Sequence, residues 1–106
     1  MALTPQHVLR GYILLALHER GGSALKREVI AWIEERFGDD LTADDHRPQP
    51  SNGEVKWENQ VAWERNSMVT DQLIERYIPG ETTRGRWSLT GLGRREASRL
   101  AEQLRG

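Results

Sequence analysis

Apolar residues recur at helical spacing through the first third of the chain. From residue 8 to residue 17 they lie on nearly every face of a predicted helix, which is typical of a central helix or of one covered by a partner. Thr4 and Pro5 predict its start, because Thr is a common N-cap and Pro fits the first helical position. A second apolar stripe predicts a helix that ends near residue 37. Residues 23–25 fit either a short strand or the opening of this second helix.

A third helix is predicted over roughly residues 57–72, and its two faces differ. Trp57, Val61 and Met68 cluster on a helical wheel and predict the core side. The opposite face is polar yet mostly uncharged, which is unusual for a helix surface that needs only to be solvated. Amide and hydroxyl side chains can hydrogen-bond to base edges, and an indole can stack on a base. This face therefore predicts DNA contacts by Asn59, Gln60, Trp63, Asn66, Ser67 and Thr70.

After this helix the apolar positions change to strand-like spacing. Residues 73–78 open with an apolar doublet and predict a strand, and a turn rich in Pro, Gly, Thr and Arg follows. Residues 86–90 predict a second strand with Trp87 and Leu89 on one face, and Thr90 predicts the N-cap of a final helix. A helix followed by a basic hairpin is the order of elements found in a winged helix. The predicted fold class is therefore α+β: a winged helix-turn-helix with a three-helix core, a small antiparallel β-hairpin wing and a C-terminal helix.

Composition excludes several kinds of chemistry. The chain has no Cys, which removes disulfides, thiolate catalysis and Cys-containing zinc sites. The three His are far apart and no two carboxylates have a catalytic spacing, so we expect no metal, no cofactor and no catalysis within this chain. Its 106 residues fit a single domain over 1–106. The first apolar segment is too short for a bilayer and lacks signal-peptide features, which predicts a cytoplasmic protein without membrane contact.

Charge is nearly balanced overall but not along the chain. The formal net charge of −1 argues against indiscriminate binding to nucleic acid, for which strongly basic domains are usual. Between residues 76 and 99, however, six Arg stand against two Glu. A binder of this kind would make few phosphate contacts and would depend on specific ones. The candidate contacts outside the polar helix face are Lys56, Thr83, Arg84 and Arg86. The alternative for the two arginines is that they keep a hairpin soluble and its edge protected.

Several runs in the second half of the chain resemble the N-terminal domain of Mrr-type restriction proteins. Residues 59–65 (Asn-Gln-Val-Ala-Trp-Glu-Arg) are similar to the family's Asn-Arg-Val-Gly-Trp-Ala-Arg. Residues 73–75 are similar to its Gly-Leu-Leu turn, and residues 84–90, followed by Gly93, to its Arg-Gly-x-Trp strand and Thr-x-x-Gly helix start. The Ser-Asn-Gly loop at 51–53 resembles the family's Pro-Ser-Gly connection.

This resemblance implies a winged-helix DNA-binding module that is normally fused to a nuclease domain, which cuts foreign or modified DNA. Three positions depart from the family pattern. Gln60 replaces a usual Arg and so removes a phosphate contact, Glu64 replaces a small residue, and Asp71-Gln72 replaces a usual Ala-Gly. The last two changes bear on how the third helix packs.

Together these observations predict a non-catalytic reader of double-stranded DNA. It would be the N-terminal module of a larger restriction-type protein, acting with a nuclease domain in the same polypeptide or complex. A methylated base is the alternative target within this class, since its methyl group lies in the major groove, where Trp63 could contact it. A protein-interaction or dimerisation module that forms a homodimer, or a transcription regulator, is the alternative. The sequence leaves these alternatives open.

Two side chains of the third helix have surroundings that the sequence does not decide. Trp63 fits either of two interpretations, a core filler or an indole that faces DNA. Arg65 falls within the apolar arc of the helix, and a buried Arg needs a partner. We therefore expect an ion pair between Arg65 and an acidic residue on the first or second helix.

Overall fold

Four α-helices and a two-stranded antiparallel sheet form the computed structural model, which describes residues 3–48 and 53–105. This arrangement confirms the α+β class. A single turn of 3-10 helix (Gly38–Asp40) follows the second α-helix. In chain order the elements are α1 (Gln6–Glu19), β1 (Ser23–Leu25), α2 (Lys26–Phe37), α3 (Lys56–Thr70), β2 (Arg86–Ser88) and α4 (Gly91–Arg105).

Helix α1 is the central element of the fold. It packs against α2, α3 and α4, so three helices of the same chain cover most of its circumference. An interior helix of this kind needs apolar residues on most faces, which explains the pattern seen in the sequence. Its buried residues are Leu9, Ile13, Leu14, Ala16 and Leu17.

The start of α1 differs from the prediction, because Thr4 does not cap it. The helix begins at Gln6, and Pro5 occupies the N-cap position without a side-chain hydrogen bond. Thr4 is buried and instead binds Asp45: its backbone N–H donates to Asp45 Oδ1 at 2.9 Å, and its hydroxyl donates to the same carboxylate. A buried carboxylate needs hydrogen-bond donors, and Thr4 supplies two.

Asp45 also closes a short turn with Thr42. The Thr42 N–H donates to Asp45 Oδ2 at 2.7 Å, and the Asp45 N–H donates to Thr42 Oγ1 at 3.1 Å. Burial alone would raise the pKa of Asp45, but the hydrogen bonds from Thr4 and Thr42 outweigh it and hold the pKa below its usual value. The ionised carboxylate therefore ties the start of the chain to the segment that precedes α3.

The predicted hairpin is shorter than expected, and its second strand has a different main partner. Strand β2 pairs antiparallel with β1, in the register Ser23↔Ser88 and Leu25↔Arg86. The predicted first strand over 73–78 is reduced to one bridge between Ile74 and Leu89. Ile74 and Leu89 are both buried, whereas residues 75–78 are exposed and bury no apolar face that would hold them in a sheet. Residues 23–25 are a strand, which settles the choice that the sequence left open.

Helix α3 ends in a Schellman motif with Gln72 in the left-handed conformation. Gln72 has φ +64°, its N–H donates to the Val69 carbonyl at 3.0 Å, and the Leu73 N–H donates to the Met68 carbonyl at 2.8 Å. Gly adopts this conformation without steric cost, whereas a residue with a Cβ loses roughly 1–2 kcal/mol. Gln72 stands where the resembled family usually has Gly, so the chain carries local strain at this point.

Helix α4 starts as predicted, with Thr90 as its N-cap. The Gly93 N–H donates to Thr90 Oγ1 at 3.0 Å, and the Thr90 hydroxyl donates to the Gln72 carbonyl at 2.5 Å. A Cβ on Gly93 would lie 2.0 Å from the Leu73 carbonyl oxygen. The first turn of α4 therefore sits directly on the backbone that follows α3, and only Gly fits there.

The connection between α2 and α3 is anchored near both ends. The Lys56 N–H donates to the Arg47 carbonyl at 2.8 Å, and Pro48 and Val55 form an antiparallel bridge. Of the loop predicted over 46–53, residues 46–48 and 53 are described, and they lie outside the helices. Residues 49–52 lie outside the described residues, and with them most of the Ser-Asn-Gly segment that carried part of the resemblance.

Candidate nucleic-acid interface

One side of α3 is buried against α1, and this fixes which side chains project outward. The buried residues are Trp57, Val61, Glu64 and Met68. Their spacing of four, three and four places them on a single stripe along the helix. The three apolar members confirm the predicted core side. Because the stripe is interrupted by a carboxylate, the packing also needs a cation from α1.

That cation is Arg10. Its Nε binds the Glu64 carboxylate, and its Nη2 lies 2.8 Å from Asp71 Oδ2. Burial would lower the pKa of Arg10, but the hydrogen bonds with Glu64 and Asp71 outweigh it and raise the pKa. The ion pair predicted for Arg65 is therefore wrong: α1 and α3 are joined by a different pair, in which α1 supplies the cation, Arg10, and α3 supplies the acid, Glu64. Position 64 lies at the centre of the buried stripe, and position 65 lies about 100° further round the helix.

The outward face of α3 presents an exposed indole among polar side chains. Trp63 is 63% exposed, so the interpretation of this residue as a core filler is wrong. Asn66, Ser67 and Thr70 are on the same side of the helix, and none of the three is buried. The indole thus lies beside three polar side chains, and all four groups are accessible to a ligand: the indole for stacking and the amide and hydroxyls for hydrogen bonds.

The other candidates on α3 are partly engaged by the protein itself. Lys56, Asn59 and Gln60 are half-buried. The Asn59 amide donates to Glu54 Oε2 at 3.1 Å, and the Gln60 carbonyl accepts a hydrogen bond from the Gln6 amide on α1. The N-terminal half of α3 also carries acidic neighbours: burial, then the charges of Glu34 and Glu54, raises the pKa of Glu58. The C-terminal half of α3 is therefore the better approach for a polyanion.

The loop over 79–85 carries the remaining candidates, and they behave differently. Thr83 and Arg84 are exposed. Arg86 is half-buried, and its Nη1 donates to Ser23 Oγ at 3.1 Å, which joins β2 to β1. The loop is also tied to α2, because the Lys26 N–H donates to the Gly85 carbonyl at 2.8 Å. Arg84 thus projects from a tethered loop, while Arg86 has a structural contact.

Arg65 joins α3 to this loop, and it was missing from the sequence-based candidates. Its guanidinium lies 5.9 Å from the centroid of the Trp87 ring, which is buried as predicted. A cavity of about 230 Å³ opens beside it, lined by Arg65, Tyr77, Arg84, Gly85 and Trp87. The sequence did hold a signal, since the residues three and four positions away on the helix are all apolar (Val61, Ala62, Met68 and Val69). No acidic residue at these helical neighbours could pair with Arg65.

Two other kinds of feature are absent from the part of the chain that the structure describes. Over residues 3–48 and 53–105, no three His, Asp or Glu side chains group in a way that could hold a metal ion. Within those ranges no helix combines the length and the apolar character needed to cross a membrane.

Comparison with known protein families supports the resemblance noted in the sequence. The family model described as the Mrr N-terminal domain matches residues 7–99, which is most of the chain. The match covers all of α2, α3 and the sheet together with most of α1 and α4. The description is of an N-terminal domain and not of a catalytic nuclease domain. Searches of curated proteins and of solved structures returned no significant match.

Proposed function

The chain belongs to the Mrr N-terminal domain family, and from this membership we propose that it is a winged helix-turn-helix that reads double-stranded DNA for a restriction system. Helix α3 is the reading helix, and residues 74–89 form the wing. The domain has no catalysis of its own. It directs a nuclease domain that lies in the same polypeptide or in a complex with it.

The pairing of the extended segments supports the wing assignment. Strand β1 lies along one edge of β2, and Ile74 bridges to Leu89 at the end of β2. The Glu75 N–H extends this second contact by donating to the Ser88 carbonyl at 2.8 Å. Residues 76–85 thus leave and re-enter a small sheet whose position is set by β1. A loop held in this way can contact a DNA backbone while α3 enters the groove.

The observation that carries the proposal is the outward face of α3 formed by Trp63, Asn66, Ser67 and Thr70. A helix fits the major groove, where amide and hydroxyl side chains can distinguish base pairs through their hydrogen-bonding edges. The buried stripe on the opposite side and the ion pair of Glu64 with Arg10 hold this face outward. The arrangement therefore combines a rigid support with side chains that can read bases.

The test begins with selection of bound sequences from random duplexes, followed by affinity measurement by fluorescence anisotropy. Asn66→Ala should weaken binding by about 1–3 kcal/mol on duplexes that carry the preferred base at the one position that Asn66 contacts. Duplexes with another base at that position should lose little affinity. Gln103→Ala is the matched control, because Gln103 is an exposed amide on α4, outside the reading face. Equal loss on every sequence would mean that Asn66 contacts the backbone. Failure of the unaltered protein to bind any duplex would refute the proposal.

Recognition of a methylated base is a second candidate, favoured by the exposure of Trp63. A methylated base adds an apolar group in the major groove, and an exposed indole on the reading face can contact it. Matched methylated and unmethylated duplexes should then differ in affinity, and Trp63→Ala should remove the difference. Trp32→Ala is not a suitable control because Trp32 packs against Phe37. Gln103→Ala serves again. Equal affinity for both duplexes would exclude this candidate.

The protein-interaction alternative loses part of its sequence support. The apolar surround of α1 suggested a partner, but α2, α3 and α4 of the same chain cover it. Leu104, which is 65% exposed near the end of α4, is the feature that still favours a homodimer. Sedimentation without DNA separates the two: a monomer favours the DNA reader, and a dimer abolished by Leu104→Ser favours the alternative.

A further inference from the structure

Arg65 is a partly buried cation without an acidic partner among the described residues. Its Nε is buried and has no hydrogen-bond acceptor. Its Nη1 donates only to the neighbouring Asn66 Oδ1, at a long 3.3 Å. Arg10, by contrast, binds two carboxylates. The Nε–H has lost water without gaining an acceptor, which costs free energy. An anion that binds beside Arg65 would supply the missing acceptor and remove this cost.

Burial is also the sole cause that lowers the pKa of Arg65 from its usual value. The group nevertheless stays protonated at neutral pH, because an Arg side chain does not lose its proton in proteins. The charge is therefore permanent. The guanidinium carbon lies 5.9 Å from the centroid of the buried Trp87 ring, close enough for a cation–π attraction that favours this position of the side chain.

The cavity of about 230 Å³ beside Arg65 is cationic. Its five lining residues are defined here as the notch: Arg65, Tyr77, Arg84, Gly85 and Trp87. The two charged members are both arginines, and none of the five is acidic. Arg65 belongs to α3 and the other four residues to the segment 77–87, so a ligand in the notch can contact the helix and this segment at once. Two guanidiniums and a phenol are suitable donors for a phosphate, which accepts several hydrogen bonds.

We propose that the notch binds one phosphate group of the DNA backbone, with Arg65 and Arg84 as the two cations that hold it. This inference rests on the proposed function and adds a site to it. The phosphate would connect the reading helix to the wing and so fix the register of the helix in the groove. Phosphate contacts position a protein on DNA without reading the sequence, so the notch sets geometry while Asn66 and its neighbours supply specificity.

The first experiment measures the salt dependence of affinity for one duplex with the full chain. Each phosphate contact contributes about 0.9 to the slope of log K against log salt. If Arg65 and Arg84 share one phosphate, the double variant R65Q/R84Q should lower the slope by about one unit, and each single variant by less. Independent contacts would give about two units for the double variant, which would overturn the shared site. Sequence preference should be unchanged in Arg84→Gln, because no hydrogen bond joins Arg84 to a side chain of the α3 face among the described residues.

Two controls separate charge from fold. Arg95→Gln removes an exposed arginine on α4, outside the notch, and should leave the slope unchanged. Arg65→Lys keeps the charge but loses the planar fork, and it should recover only part of the affinity. Thermal unfolding of each variant comes first, because Arg65 packs over Trp87. If R65Q unfolds, the exposed Arg84→Gln still tests the site.

The second experiment needs no DNA and follows the arginine Nε–H resonances by ¹H–¹⁵N spectroscopy. Inorganic phosphate at constant ionic strength should shift the Arg65 resonance with saturation, and Arg84→Gln should weaken this response. A phosphate-induced shift of the Arg65 resonance in a protein that binds no DNA would support the notch as a phosphate site and refute the proposed DNA-reading function. DNA binding with an unaltered slope in R65Q/R84Q, and with no phosphate response, would refute the notch and keep the DNA reader.

Discussion

Removal of the Glu64 carboxylate tests how firmly α3, the proposed reading helix, is held on α1. Glu64 is buried, and it binds Arg10, whose side chain is 29% exposed. Loss of one partner of a buried ion pair costs about 3–5 kcal/mol, because the other charge is left uncompensated. Arg10 here keeps Asp71 and some water, and the substituted amide would still offer one carbonyl oxygen. We therefore expect Glu64→Gln to lower the free energy of unfolding by about 2–3 kcal/mol.

The structure also supplies the matched comparison. Asp71 binds the same Arg10, but its side chain is 53% exposed, so Asp71→Asn should cost less than about 1 kcal/mol. Replacement of both partners by apolar residues, in Arg10→Met with Glu64→Leu, should recover most of the loss, since no uncompensated charge is then buried. This reversal distinguishes an ion pair from simple loss of packing.

The assay is urea unfolding followed by tryptophan fluorescence, which reports directly on the core because Trp57 and Trp87 are buried. In a domain of this size a loss of about 2–3 kcal/mol lowers the melting temperature by roughly 10–20 °C. Equal effects of Glu64→Gln and Asp71→Asn, or a double apolar variant less stable than either single one, would refute the reasoning. In that case the orientation of α3 would depend on its apolar residues alone.

Three further predictions concern residues that hold the ends of α3 in place. Gln72→Gly should raise the free energy of unfolding by about 0.5–1 kcal/mol, because Gly has no Cβ to strain the left-handed backbone, and an unchanged urea midpoint would contradict this. Gly93→Ala should destabilise by more than about 2 kcal/mol, since its Cβ would lie 2.0 Å from the Leu73 carbonyl oxygen, and a melting temperature within about 2–3 °C of the original would contradict it. The folded-state pKa of Asp45 lies below its ordinary value of 3.8, so its contribution is complete above about pH 4 and is lost as the pH falls through the depressed pKa. Asp45→Asn should therefore unfold with a weaker dependence on pH between about 2 and 4 than the original chain does, and an equal dependence would show that other carboxylates are responsible.

Local sequence patterns predicted the elements whose structure depends on residues that are close together in the chain. Helical spacing located the four helices because each buries one stripe or, for α1, most of its surface. Thr90 was predictable as a cap because its acceptor role involves a residue only three positions away. Thr4 was not, because the acceptor that draws it away is Asp45, 41 residues along the chain. The strand expected over 73–78 failed for another reason: the edge of β2 opposite β1 is contacted by Ile74, but residues 75–78 are exposed and bury no apolar face that would hold them along it.

The candidate site was predictable to the same extent. The polar face of α3 follows from the helical wheel, but the wheel could not decide whether Trp63 was covered, since that depends on the neighbouring elements. The partner of a buried charge was harder to predict than the exposure of Trp63. The apolar arc of the helical wheel predicted an ion pair for Arg65. In the structure the preceding residue, Glu64, is the buried acid, and Arg65 lies beside residues 77–87. Only the meeting of α3 with residues 77–87 reveals the notch.

The hydrogen bond from the Lys26 N–H to the Gly85 carbonyl makes the wing part of a continuous frame. Under the proposed function, displacement of residues 79–85 by a bound duplex would strain this bond at the start of α2. The exchange rate of the Lys26 amide with deuterated solvent would consequently register DNA occupancy at a position that touches no nucleotide.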